Sequence, residues 1–177
     1  TVVIGVDVSG ATEQYSGRVM PAINAGALNI TVSILAGASL VITGIADLTA
    51  SAPYVGGETF NIRVNYQNTG GVDVLNVDAT IVYSGGSLTE SNPAAITVPA
   101  GGTASQDYTI TIPAAEPTQS ITIDASVAGA SEQYSGRSIS VSSGANDLNV
   151  DIYSQSSLSI TQILDLTASA PYVGGET

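Results

Sequence analysis

Two stretches of this 177-residue chain occur twice. ATEQYSGR at residues 11 to 18 returns as ASEQYSGR at 130 to 137, an offset of 119 residues from Ala11 to Ala130, and DLTASAPYVGGET at 47 to 59 returns letter for letter at 165 to 177, an offset of 118 from Asp47 to Asp165. One unit of about 118 residues, the size of a small domain, therefore recurs with a single-residue slip between the two marks. Aligning Thr1 with Ser120 sets Ile4 on Ile123, Val8 on Val127, Arg18 on Arg137, Val32 on Val150, Ile34 on Ile152 and Ile42 on Ile160. The expected organisation is residues 1–38 as the C-terminal part of one repeat, 39–156 as a complete repeat and 157–177 as the start of the next. Residues 1–38 lack their own counterpart of 60–119, and half a sandwich cannot bury its core alone. Either the chain is a window on a longer polypeptide or a neighbouring subunit supplies the missing strands.

Period-two alternation dominates the repeat, and helical spacing is scarce. Phe60, Ile62, Val64 and Tyr66 point one way while Asn61, Arg63, Asn65 and Gln67 point the other, which predicts a strand with one wet face. Asn68-Thr69-Gly70-Gly71 is turn chemistry, and Leu75, Val77, Ala79, Ile81 and Tyr83 predict a second long strand, so the two are expected to form an antiparallel hairpin. Further alternating segments run through Ile96 and Val98, Tyr108 to Ile112, Ile121 to Val127, Arg137 to Val141, Leu148 to Ile152, and Leu40 to Leu48, the last of which restarts at Leu158 and Ile160. Seven or eight short strands spaced by Gly, Pro and Asn predict an all-β fold, an antiparallel β-sandwich. Val, Ile and Thr prevail over Leu, which suits pleated surfaces.

Composition excludes much chemistry. Fifteen carboxylates face only Arg18, Arg63 and Arg137, for a net charge of −12. Such a surface repels phosphate backbones and anionic lipid, so neither nucleic acid nor a membrane surface is an expected partner. With no Cys there is no disulfide, thiolate nucleophile or zinc–sulfur site; with no His the usual general base is gone; with no Lys there is neither Schiff-base chemistry nor a Lys–Asn isopeptide cross-link. No stretch is apolar for long enough to span a bilayer, and any export signal or anchor is expected outside these residues.

Ala46-Asp47-Leu48-Thr49 running through Pro53 and Val55-Gly56-Gly57-Glu58 into FNIRVNYQNTGG, followed by ITVPAGGTASQDYTITIP, resembles the immunoglobulin-like modules of prokaryotic surface proteins, especially the cell-adhesion-related CARDB type. The likeness covers residues 46 to 128: a Gly-Glu before the second strand, an Asn-x-Gly after it and a Pro/Ala-Gly turn before the fifth. Where many such modules end in Glu-x-Asn-Asn, this chain has SSGANDLNV. The resemblance implies an Ig-like fold, spacer or interaction roles at the cell surface, and no catalysis.

Candidate sites are few. Asp147, Asn149 and Asp151 alternate like the opening of a calcium loop, but Ile152 stands where its Gly turn belongs, so a solvated strand is the preferred reading. Asp47, its counterpart Asp165, and Glu58 recur near the junction between units, where a calcium ion would stiffen a hinge; satisfying local turn amides is the preferred alternative. Glu132 and Arg137 would form an exposed pair worth on the order of 0 to 1 kcal/mol. Tyr15 and Tyr134 are expected to cover the end of a core, with an adhesive surface role as the alternative. Asn29-Ile30-Thr31 is the one Asn-x-Ser/Thr sequon. No cofactor is expected beyond that possible calcium ion. The expected function is a noncatalytic structural segment of an extracellular fibre, pilus-like filament or adhesin stalk, whose partners are copies of itself and a cell-surface ligand. Strand addition between chains is expected from segments 1–10, 28–35 or 157–166. The rival is a calcium- or carbohydrate-binding accessory module.

Overall fold

Alternating aliphatic residues dictate strands, and strands are what the chain forms. A computed structural model describes residues 1–5, 7–8, 12, 14–16, 19, 23–24, 30–50, 52–144, 146–164 and 174–175. The protein is all-β, with no helix among the described residues and hence none there long and apolar enough to cross a membrane. The strands are β1 (Val2–Ile4), β2 (Asp7–Val8), β3 (Ile23–Asn24), β4 (Ile30–Val32), β5 (Leu40–Asp47), β6 (Tyr54–Val55), β7 (Thr59–Asn68), β8 (Val74–Val77), β9 (Ala79–Tyr83), β10 (Thr89–Glu90), β11 (Ile96–Val98), β12 (Thr103–Thr111), β13 (Gln119–Glu132), β14 (Ser138–Ser142) and β15 (Leu148–Tyr153).

One antiparallel sheet has the order β10-β12-β7-β5. A second, of seven strands, runs β11-β8-β13-β15-β6, with β9 and β14 also laddered to β13. The 14-residue β13 serves four antiparallel partners in turn because its register shifts between Val127 and Ala130, a bulge that bends the strand from one set of neighbours to the next. The β6–β15 pair is parallel.

Both sheets feed one buried cluster. Phe60, Ile62, Val64 and Tyr66 of β7 and Tyr108 and Ile110 of β12 meet Ile121, Ile123 and Ala125 of β13 and Val150 and Ile152 of β15. Each fully buried aliphatic or aromatic side chain contributes roughly 1.5–3 kcal/mol. Tyr66 and Tyr108 carry polar groups deep into this core, and their hydroxyls find partners. Tyr66 donates to Gln106 Oε1 at 2.7 Å, Tyr108 donates to the Ala79 carbonyl at 3.0 Å, and Gln106 Nε2 donates to the Ala94 carbonyl at 3.0 Å. Tyr108, on β12, thereby reaches β9 of the other sheet. Burial raises its phenol to about 12 and keeps it protonated. Among the described residues no buried side-chain polar atom lacks a partner.

Two expectations are corrected. The segment 60–66 does not form a hairpin with 75–83: β7 pairs with β5 and β12, whereas β8 and β9 belong to the other sheet. Residues 68–72 are a crossover, held by Asn68, whose side-chain NH2 donates to the Val72 carbonyl at 2.8 Å and the Pro99 carbonyl at 3.3 Å. Nor is 75–83 one strand with Leu75 facing inward. Asn76 adopts φ of 55°, which asparagine tolerates, and this left-handed residue resets the alternation so that Val74 is buried in place of Leu75, while Val77, Ala79 and Ile81 face inward as expected. With that split and the short β6 and β10, the region from Leu40 to Tyr153 holds eleven strands and not seven or eight.

Each pairing of the N-terminal segment matches a pairing of β13 with β15 or β14 in the second sheet. Val2↔Val32, Val3↔Thr31 and Ile4↔Ile30 match Ile121↔Val150, Thr122↔Asn149 and Ile123↔Leu148; Asp7↔Asn24 and Val8↔Ile23 match Ser126↔Ser142 and Val127↔Val141; the bridge Thr12↔Val19 matches Ser131↔Ser138. The offset is 119 before Val19 and 118 after Ile23, which places the slip between them. Burial differs sharply between the copies. Ile123 is 0% exposed under the four-stranded sheet, while Ile4, with no such cover, is 53% exposed. Ile123→Ala should therefore cost about 2–5 kcal/mol, and Ile4→Ala less than about 0.5 kcal/mol, as measured by urea unfolding of the two variants.

Candidate functional site

A dense polar cluster forms around the second EQYSGR motif. Gly136, at φ of 67°, lets the chain turn back after Glu132, and the turn closes with Glu132 N donating to the Arg137 carbonyl and Gly136 N to the Glu132 carbonyl, each at 2.9 Å. This aims the Glu132 carboxylate at the segment leading into β5. It accepts Ala38 N at 2.5 Å, the Ser135 hydroxyl, and Arg137 Nη2 at 3.3 Å, while Arg137 Nη2 also donates to the Ala38 carbonyl at 3.0 Å.

The opposite side of that segment is held as well. Asn68 Oδ1 accepts Ser39 N at 3.1 Å, Thr69 N donates to the Ser39 carbonyl at 2.9 Å, and Gly71 N donates to the Ala36 carbonyl at 3.2 Å. Backbone runs so close to Gly70 that a Cβ there would lie 2.2 Å from the Gly37 carbonyl oxygen, so only glycine fits. Residues 36 to 39, which join the N-terminal strands to β5, are thus clasped between the Asn68–Gly71 turn and the Glu132–Arg137 turn. The expected exposed ion pair is corrected accordingly: Arg137 is half exposed, but Glu132 is buried and bound chiefly by neutral donors from Ser135 and Ala38. Those hydrogen bonds, with the Arg137 guanidinium, hold its carboxyl down at about 2.

The tyrosines of the motif do not cover the core. Tyr15 is 96% and Tyr134 74% exposed. Tyr134 stands instead beside a groove of about 400 Å3 along the joining segment, lined with Leu35, Ala36, Val72 and Glu132. Glu13 and Arg18, the counterparts of Glu132 and Arg137, lie outside the described residues, as do Asn29, Asp165 and Glu176.

The candidate calcium ligands are occupied locally and dispersed. Asp47 caps its own turn, accepting Thr49 N at 2.9 Å, Ala50 N at 3.1 Å and the Tyr54 hydroxyl at 2.6 Å; Glu58 accepts Val55 N at 2.8 Å. The PYVGGE segment is thereby held inside its own repeat, with Tyr54 stacked on Phe60 at 4.3 Å between ring centroids. The Ser143 hydroxyl lies against Asp147 at 2.5 Å and also against Asp124. Asn149 Oδ1 accepts the Thr122 hydroxyl at 2.7 Å, and Asp151 is exposed on the same face of β15. Among the described residues no three acidic side chains converge as a metal would require.

On the wet face of the four-stranded sheet, Arg63 grips Asp107 in a two-pronged pair of 2.6 and 2.7 Å that lowers the carboxyl below its ordinary range. Sequence reasoning missed the clasp because Ala38 and Glu132 are 94 residues apart; the local signal was an acid and a base flanking a Ser-Gly bend.

Glu132 is held below the ordinary 4.5, so its contribution to stability is fully present above pH 4.5 and is lost as pH falls toward 2. Glu132→Gln should lower the melting temperature at pH 7 and flatten the acid limb of stability between those values, checked by calorimetry across that range. Comparison with protein-family models and with curated proteins finds no match to this chain.

Proposed function

We propose that this chain is a noncatalytic structural segment of an extracellular fibre, pilus-like filament or adhesin stalk at the cell surface, built from tandem Ig-like β-sandwiches of the CARDB type. The observation that carries the reading is the recurrence of six residue pairings, in two strand pairs and a bridge, at the repeat offset, joined to the next unit through a clasped segment. Repetition of one module end to end builds length at constant surface chemistry. The strand order supports the Ig-like reading: β5, β7, β12 and β10 lie in the order expected of strands A, B, E and D, and β9, β13 and β15 in that of C, F and G.

The same topology suits a load-bearing role. The last strand, β15, runs parallel to β6 near the start of the repeat, Gly56 N donating to the Tyr153 carbonyl at 2.9 Å. Pulling the two ends apart loads those bonds together in shear instead of opening them one at a time. The clasp of residues 36 to 39 limits bending where one unit enters the next. Strand addition between chains fits the exposed apolar strands β1 and β4.

A second reading, adhesion or carbohydrate recognition by an accessory module, is favoured by one observation: Tyr15 and Tyr134 stand out at equivalent positions of two repeats. It is tested by loss of surface or glycan binding in a Tyr15→Ala, Tyr134→Ala double variant.

Electron microscopy of the native material should show filaments, and isolated globules would end the fibre proposal. Stretching those filaments should release steps of about 400 Å per repeat, the extended length of roughly 118 residues.

A further inference from the structure

Two sets of apolar side chains are exposed in this protein, and each is the counterpart of a set buried in the complete repeat. Val2, Ile4, Val32 and Ile34 are exposed, whereas Ile121, Ile123, Val150 and Ile152 at the matching positions are buried. Leu158, Ile160 and Ile163 are exposed on a segment outside any strand, whereas Leu40, Ile42 and Ile45, 118 residues earlier, are buried on β5. Since strand registers agree between the copies, the difference in burial comes from what lies over the strands and not from how they pair.

In the complete repeat the cover is the sheet of β5, β7, β12 and β10. Its β5 is also bonded directly to the loop before β15, Asn146 Nδ2 donating to the Ile42 carbonyl at 3.1 Å and Ile45 N to the Asn146 carbonyl at 3.2 Å. Strand length tells the same story: β15 extends to Tyr153 where it pairs with β6, while its counterpart β4 stops at Val32, with no strand in the place of β6 among the described residues.

We propose that the apolar face of β1 and β4 is a docking surface for a second covering sheet of the kind built by residues 40–111, supplied by another repeat of the same polypeptide. This rests on the tandem-repeat reading above. A second copy of the chain is the poorer source, because its covering sheet is already seated on its own β13 and β15 and would first have to be vacated. A repeat in the same polypeptide needs no such exchange. The complete unit passes from β12 to β13 through residues 112–118, so a covering sheet joined to Thr1, the counterpart of Ser120, reaches its place by an equally short link and at high effective concentration. The segment 158–164, which repeats the start of β5, is in the same way the first strand of such a cover.

The test is to place a copy of residues 39–119 in front of Thr1 of the full chain and follow amide hydrogen exchange. Amides of Val2–Ile4 and Ile30–Val32 should rise from rapid exchange to the protection of Ile121–Ile123, and Ile4→Asp should abolish that gain in the fusion while leaving the melting point of the unfused chain unchanged. A second variant, with a copy of residues 60–156 after Thr177, should bury Leu158, Ile160 and Ile163 and protect their amides as those of Leu40, Ile42 and Ile45 are protected. Exchange at β1 and β4 that stays rapid in a folded fusion, together with an unprotected 158–164 in the second variant, overturns the inference. Full protection in a concentration-dependent dimer of the unfused chain overturns it too, by assigning the cover to a second copy. Protection in the fusion with native material that forms no filaments leaves this inference standing and removes only the fibre reading.

Discussion

Covering the aliphatic face of β13 and β15 with a second sheet is the constraint on which the rest of the structure depends. Ile121, Ile123, Val150 and Ile152 are excluded from water in one buried cluster to which β7 and β12 contribute Ile62, Val64, Tyr108 and Ile110. Wherever the cover is present the strands are long and tied together by bulges, crossovers and side-chain bonds. Where it is absent the same pairing survives only as the short ladders of β1 with β4 and β2 with β3. Pairing between strands is thus a local property of the repeat, and burial is a property of two halves meeting.

The polar network follows from that arrangement. A two-sheet core leaves its ends open, and the chain closes one end with backbone amides bound by side chains distant in sequence. Asn68, Glu132 and Arg137 hold residues 36 to 39 there, while Asp47 and Tyr54 close a turn on the other side of β5. Among the described residues every buried side-chain polar atom has a partner, as the cost of stranding a polar group demands. An acidic protein with three arginines thereby places one of them, Arg137, against Ala38 and Glu132, and another, Arg63, across the wet face of a sheet.

Much of this was legible in the alternation of residues. The strands β7, β12 and β15 follow the period-two pattern throughout, β5 and β13 follow it up to their bulges after Ile42 and Val127, and Tyr66 and Tyr108 occupy the core positions their spacing implied. The misreadings share a cause. A hairpin between 60–66 and 75–83 looks natural in sequence because consecutive strands commonly pair, yet Asn68 carries the chain across to the other sheet instead. Leu75 looked inward-facing because alternation was extrapolated through Asn76, where a single left-handed residue reverses it. The tyrosines of EQYSGR looked like core caps because large aromatics usually are, but the turn that seats Glu132 points Tyr134 away from the core.

Period-two hydrophobicity and the duplicated motifs by themselves determined that this chain is all-β and that two stretches of its sequence occur twice, because side-chain alternation and identity are properties of neighbouring residues. Which strands share a sheet, which apolar faces are dry, and the capture of Ala38 by Glu132 were decided only in three dimensions. Those contacts join residues tens of positions apart, and no local pattern records which of two chemically equal faces another sheet will reach.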